Sequence, residues 1–342
     1  MIKNSPIYNM SMCSLENFHT VFLKWLGIVY PRETMELFLN NINEENIKFK
    51  DQKKENGNIY DLCALNDNGE KILIIENKIK SYPTDEQIEK YKEANKKVPL
   101  ILLSLAPADN IKLPKECKLT YGELAKRMHK KFDNKNFSAE EKYNKYLIQD
   151  YIKVIEYLAK SFPKNTSMKY DFYDEKISDE LKDIYIKYRT SELSNYINEN
   201  TNLSATDDFR DKQGIVNVWC DFAEYNISFL IQIQGNEYRY CMIYGSESEN
   251  ELRESFADKL VKNNMWFYNC IDNYPKARNY QSKKFCGYKP NFIYRYQNIE
   301  KLFNKDKLSN ITYQEIAEKI SKDISELLEH KHEIIRSLVD SL

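Results

Sequence analysis

Behind Ser14, a residue suited to cap a helix, Leu15, Phe18, Phe22, Trp25 and Leu26 recur at helical spacing. They predict a helix that Pro31 interrupts, with a second helix starting near Arg32. Residues 59–65 and 71–79 read as two strands of a hairpin. Asn68-Gly69 forms its expected two-residue turn, because both central positions of such a turn need positive φ. Pro83-Thr84-Asp85 opens a helix to about Ala94 with Thr84 as its cap. The apolar run Val98–Ser104 fits a buried strand, and a helix begins at Tyr121. Tyr143, Leu147, Tyr151, Val154, Ile155 and Leu158 mark an amphipathic helix over 139–160. The order α-β-β-α-β-α predicts an α/β fold, a mixed sheet flanked by helices.

The stretch 160–176 has no clear period and carries Pro and polar residues, so the domain boundary is placed there, separating 1–165 from 166–342. After a helix at 178–198, "GIVNVWCDF" and "NISFLIQIQGNEYRYCMIYG" alternate with strand period, and Gly235-Asn236 is the expected hairpin turn. Helices follow at about 249–263 and 312–338. This half reads as a smaller α+β domain.

Composition narrows the chemistry. At 342 residues the chain has room for two domains, and with 51 basic against 52 acidic residues it is no global polycation, so any nucleic-acid surface must be a local cluster. Seven scattered cysteines without a CxxC pair argue against a disulfide framework or a zinc ribbon and suit a reducing cytosol. Four dispersed histidines do not make a histidine-rich metal site. No signal pattern opens the sequence, and no apolar run approaches the ~18 residues of a membrane span. The expectation is a cytoplasmic protein with no membrane partner.

One hairpin concentrates chemistry. The Asn-Gly turn sets a register that puts Asp61 opposite Glu76, and facing side chains have Cβ atoms about 5 Å apart. Two carboxylates that close either raise one pKa or hold a cation. Lys78, two residues on, shares the face of Glu76. Two hard oxygen ligands suit Mg²⁺, which keeps several of its waters, and a lysine beside them can orient or help deprotonate a water and offset charge on a phosphate. The plainer alternative for Glu-x-Lys on a strand is a solvated ion pair, but "ILII" before it argues for a strand buried on both faces.

"YDLCALNDNGEKILIIENK" resembles the D-x(n)-(D/E)-x-K core of the PD-(D/E)xK nuclease superfamily, whose fold is restriction-endonuclease-like. "SLENFHTVFLKWL" is similar to the opening helix of a bacterial subgroup, "DEQIEKY" carries its Q-x-x-x-Y at Gln87 and Tyr91, and "VPLILLS" resembles the strand that comes next. The resemblance covers roughly residues 14–160. It departs at Tyr60, where the family has a proline. It implies a metal-dependent nuclease, most simply acting on DNA, with Mg²⁺ or Mn²⁺ as cofactor and a role in defence against foreign DNA. Asp61 and Glu76 would bind metal, Asn77 would lend its backbone carbonyl, Lys78 would attend the attacking water, and Glu16 would be the accessory acid. His19 shares a helix face with Glu16 and is either an accessory residue or a histidine packed at a helix–sheet contact. Gln87 and Tyr91 either orient the site and touch the substrate backbone, or make a helix-to-sheet polar contact. The rival class is a binding or sensor protein that keeps the fold without turnover.

From Asn273 to Ile299 there is no acidic residue, while Lys276, Arg278, Lys283, Lys284, Lys289 and Arg295 alternate with Tyr288 and other aromatic residues. Cations beside stacking rings are a common way to hold nucleic acid, the alternative being core aromatics with solvated charges. "KDQKKEN" reads as a solvated loop. Homo-oligomerisation, and a regulatory ligand or partner protein for the C-terminal half, stay open.

Overall fold

The structure is a computed structural model. It describes residues 2–339 except 43, 56–57, 109–110, 163–167, 174–176, 245–255, 258, 264, 268–285 and 290–291. The chain divides into two compact units, one of residues 1–166 and 177–188, the other of 167–176 and 189–342.

The first unit opens with α1 (Pro6–Ser14), capped by the Ser5 hydroxyl, and α2 (Glu16–Val29). Ser14 therefore ends a helix instead of capping one. Leu15, at φ 41°, makes the break, and Glu16 becomes the first residue of α2. After α3 (Pro31–Met35) come β1 (Lys48–Glu55), β2 (Asn58–Leu65), β3 (Lys71–Lys78), α4 (Asp85–Ala94), β4 (Leu100–Ser104), β5 (Lys118–Thr120), α5 (Tyr121–Phe132) and α6 (Lys142–Ser161). The sheet runs in the order β1-β2-β3-β4-β5. Its first three strands are antiparallel, and β3, β4 and β5 are parallel. It is thus a mixed sheet.

The segment "KDQKKEN", expected as a solvated loop, lies largely in β1. Among the described residues β1 is an edge strand, and charge on an edge blocks pairing with other chains. β1 is held from inside: a Cβ on Gly27 of α2 would sit 2.3 Å from the Phe49 ring, so only glycine lets the helix lie this close. Lys24 of α2 also pairs with Asp51 at 2.6 Å. Leu73, Ile74 and Ile75 of the "ILII" run on β3 are buried and Ile72 is half-buried, and Leu102 and Leu103 on β4 are buried too. That is the pattern of parallel strands covered on both faces.

The hairpin turn is longer than expected. Asn66 N–H donates to Glu70 O and Gly69 N–H to Asn66 O, leaving Asp67, Asn68 and Gly69 as a three-residue loop with Gly69 at φ 78°. Next to it Leu65 pairs with Lys71, and a register shift between Ala64 and Leu65 follows. Beyond the shift the pairs are Ala64 with Leu73, Cys63 with Ile74, and Leu62 with Ile75. The irregularity cancels the extra turn residue, so the far end of the hairpin keeps the expected register.

In the second unit an antiparallel sheet runs β10-β11-β9-β8-β7-β6. Its strands are β6 (Ala205–Arg210), β7 (Gln213–Phe222), β8 (Ile227–Gln234), β9 (Glu237–Tyr244), β10 (Cys286–Lys289) and β11 (Phe292–Asn298). The division of the chain falls inside α7 (Asp179–Asn200). Three more helices follow, α8 (Ile299–Leu302), α9 (Tyr313–Glu329) and α10 (Lys331–Val339). The helix expected over 312–338 is thus two, α9 and α10, separated at His330. Of the helix expected at 249–263, residues 256–257 and 259–262 are helical and most of the rest lies outside the described residues. On one sheet face Tyr238 and Tyr240 donate their hydroxyls to Asp323 of α9, which anchors that helix to the sheet. Buried Arg189 pairs with Asp171 at 2.9 Å and Glu192 at 2.8 Å, each carboxylate offsetting the desolvated guanidinium.

Candidate active site

The β2–β3 ladder ends at Leu62 and Ile75. One step further Asp61 and Glu76 come level, and there a side chain takes over: Asn77 N–H donates to Asp61 Oδ2 at 2.9 Å. Glu76 is 2% exposed. Its Oε1 accepts from Lys78 Nζ at 2.9 Å and from Gln87 Nε2 at 2.7 Å. Its Oε2 is buried with no hydrogen-bond partner. Gln87 reaches it because Thr84 caps α4, accepting from Gln87 N–H at 3.1 Å and fixing where the helix begins. Gln87 also donates to Tyr91 Oη at 3.0 Å, and Tyr91 donates to Ile59 O at 2.6 Å, tying the helix back to β2.

Electrostatics follow from burial. Desolvation pushes Glu76 up to about 7, with Asp61 adding and Lys78 and Gln87 opposing. Asp61 is raised for the same first reason, with Glu16 adding and the Asn77 N–H and Lys78 opposing. Burial alone would lower Lys78, but Glu76, Asp61 and Glu16 together carry it above the usual ammonium range. Lys78 is therefore favoured as an ammonium beside the two carboxylates, a form that can offset charge but not accept a proton.

Glu16 lies beside this cluster without entering its hydrogen bonds. Its Oε1 accepts from Ile79 N–H at 2.9 Å, Lys80 N–H at 3.1 Å and the Ser81 hydroxyl at 3.2 Å, so it pins the chain just after β3. The Asn77 side chain donates to Glu16 O at 3.1 Å and Thr20 Oγ1 at 3.0 Å, and accepts from the Tyr121 hydroxyl at 2.7 Å. His19 is fully buried against the rings of Phe18, Tyr121 and Tyr151, with Nδ1 3.0 Å from the Tyr151 hydroxyl. Burial lowers its pKa to about 3, so it is neutral. Its packing is among the helices α2, α5 and α6, not at the helix–sheet contact expected.

Among the described residues no group of three or more His, Cys, Asp or Glu could hold a metal ion. The pair Asp61 and Glu76 still fits a hard divalent cation, because a buried carboxylate oxygen without a donor is a vacant anionic ligand. A groove of about 400 Å³ runs beside Gln87 and Tyr91, lined also by Asn58, Ile59, Thr84, Glu86 and Lys90 but by neither Asp61 nor Glu76. Asn58 and Lys90 were not singled out from sequence. Lys90 follows Gln87 by three residues, a spacing that places both on one helix face.

Of the basic and aromatic residues expected to hold nucleic acid, Lys276, Arg278, Lys283 and Lys284 lie outside the described residues. Tyr288 and Lys289 belong to β10 by backbone. Arg295, on β11, donates to Phe267 O at 3.3 Å. Compared with known proteins, the chain matches no family model, no curated protein and no solved structure. Among the described residues no helix is long and apolar enough to cross a membrane.

Proposed function

We propose that the protein is a metal-dependent nuclease that hydrolyses phosphodiester bonds, with DNA as the substrate and a restriction-endonuclease-like first unit carrying the chemistry. The observation that supports this most is Glu76 Oε2, a buried oxygen without a donor, next to a second carboxylate and an ammonium. Asp61 and Glu76 would hold Mg²⁺ or Mn²⁺. When bound, such an ion supplies Lewis acidity, polarising a phosphoryl oxygen and making water more acidic. Lys78 Nζ donates hydrogen bonds where negative charge grows on the phosphate. Gln87 holds Glu76 Oε1, which leaves Oε2 free of a donor, and Tyr91 holds Gln87. Glu16 fixes the backbone after Lys78. A role in defence against foreign DNA accords with this chemistry.

The second reading, a nucleic-acid-binding or sensor protein of the same fold without turnover, is favoured by one observation: among the described residues no third His, Cys, Asp or Glu joins the pair in a group that could hold a metal ion. One experiment separates the two. Purified protein is incubated with supercoiled plasmid in Mg²⁺, in Mn²⁺ and in excess EDTA, beside Glu76→Gln and Lys78→Met. Cleavage is expected with either metal and not in EDTA, and each variant should lose at least about 100-fold in rate, the scale of removing one preorganised charge-stabilising group. Full activity in EDTA, or a variant at wild-type rate, overturns the nuclease reading. A wild type that binds but never cuts favours the sensor.

A further inference from the structure

The face of the second sheet turned away from Asp323 carries a concave site that the proposed chemistry does not use. Two rows of side chains cross it. Trp219, Leu230, Cys241 and Tyr294 face one another across four strands, and beside them run Asn217, Gln232, Arg239 and Tyr296. The cavity above these rows measures about 560 Å³, and Trp219, Asn217, Leu230, Gln232, Ile243 and Phe292 line it, with Asp208 and Arg210 at its edge. That volume lies within the usual range for small-molecule sites.

The polarity of the amide row is fixed from one end. Arg239 is buried, counterbalanced by Glu237 at 2.6 Å, and stacked over the Tyr294 ring at 4.7 Å. A guanidinium can only donate, so the Gln232 oxygen must face it, at 2.8 Å. The Gln232 amide nitrogen then donates to Asn217 Oδ1 at 2.8 Å. With its oxygen taken, what Asn217 turns to the cavity is the NH₂ group. Gln232 itself is 8% exposed. Next to this donor stands the Trp219 indole, 36% exposed, over a floor of Leu230 and Ile243.

An exposed ring, an apolar floor and an amide with its NH₂ group left to donate suit a flat ligand with hydrogen-bond acceptors on its edge. We propose that this face binds a nucleobase, stacked on Trp219 with a ring nitrogen or carbonyl accepting from Asn217. Asp208 and Asp211 also line the cavity, Asp208 being held by Arg210 at 2.7 Å and by Phe209 N–H, so a sugar is the competing occupant that the test includes. The base comes either from a free nucleotide or from a single strand. This inference stands apart from the nuclease reading and survives its failure.

The test is calorimetric titration of the full chain in EDTA, so that no strand is cut, with AMP, GMP, CMP and UMP, and with single-stranded eight-nucleotide homopolymers. Saturable binding of at least one mononucleotide or homopolymer is expected. Trp219→Ala should weaken it about fivefold or more, the scale of one lost base–aromatic stack. Trp219→Tyr should restore most of it. Asn217→Asp, which turns the donor into an acceptor, should abolish binding or change which base is preferred. A homopolymer that binds far more tightly than its mononucleotide assigns the base to a strand, and equal affinities assign a free nucleotide. No heat with any of these ligands, or binding indifferent to both Trp219→Ala and Asn217→Asp, overturns the proposal. So does binding of maltose or N-acetylglucosamine in place of nucleotides.

Discussion

Glu76 is under opposite demands in the empty and the occupied site. Buried beside Asp61 it holds its proton up to about pH 7, whereas in the unfolded chain it ionises near the ordinary value of 4.5. Between those two values the folded protein carries a proton that the unfolded chain has released. Stability contributed by Glu76 is therefore present below about pH 4.5 and falls as pH rises through 7, by on the order of 3 kcal/mol. His19 works the other way: its folded pKa of about 3 makes stability rise with pH until the unfolded imidazole is neutral, near 6.5. Comparing wild type with Glu76→Gln isolates the first effect. In urea melts in EDTA, wild type should lose stability relative to the variant between pH 5 and pH 8, and parallel pH profiles would refute the assignment. The sequence showed Asp61, Glu76 and Lys78 as one cluster because a strand fixes alternation and a hairpin fixes register. It did not show that Lys78 stays an ammonium, since that depends on how three charges share one buried space.

At the scale of elements, the longest periodic segments were legible and the pieces held by pairing alone were not. α4 shows in sequence through its Pro83-Thr84-Asp85 start, and α5 and α6 through apolar stripes that repeat over two turns or more. β1 and the three-residue β5 carry too little apolar alternation to be seen, and what makes them strands is a neighbour's free edge. β6 and β10 belong to the same class, whereas β11 has the aromatic and branched residues of a strand and was hidden because its stretch reads as a basic, aromatic surface. The hairpin turn teaches a different lesson. Its loop has one residue more than expected, yet the bulge beside it restores the register, so the site was rightly located through a wrong turn. Gly27 gives a test at this scale. Gly27→Ala would improve helix propensity in isolation, but its Cβ meets the Phe49 ring at 2.3 Å. Overpacking of this kind typically costs about 1–3 kcal/mol, more than the roughly 1 kcal/mol gained from propensity. The variant should melt lower than wild type, and Gly27→Ala combined with Phe49→Leu should recover part of the loss. A melting temperature at or above wild type would show that α2 does not depend on this close approach to β1.

At the scale of the whole chain, local composition marks a boundary less well than packing does. Pro163 and the polar run after it suggested an end near 165, and nothing in that run reports that residues 177–188 return to the first unit. The reason lies in rings. Phe162 packs edge-on against Tyr185 at 5.3 Å and Tyr188 at 5.8 Å, and Tyr82, four residues after Lys78, meets Tyr188 at 5.5 Å. Tyr185 and Tyr188 are fully buried. A fragment ending at 165 would expose Phe162 and one side of Tyr82 and lose both tyrosines. Burying one large apolar side chain contributes about 1.5–3 kcal/mol, so these losses approach the 5–15 kcal/mol that holds a typical domain together. Fragment 1–190 should therefore unfold cooperatively in urea, while 1–165 should unfold at a much lower midpoint with a shallower transition. Because Tyr82 directly follows the segment that Glu16 pins, the shorter fragment should also bind Mg²⁺ more weakly if Asp61 and Glu76 form the metal site. Identical midpoints for the two fragments would mean that the first unit ends where the sequence loses its periodicity, and that the first half of α7 adds nothing to it.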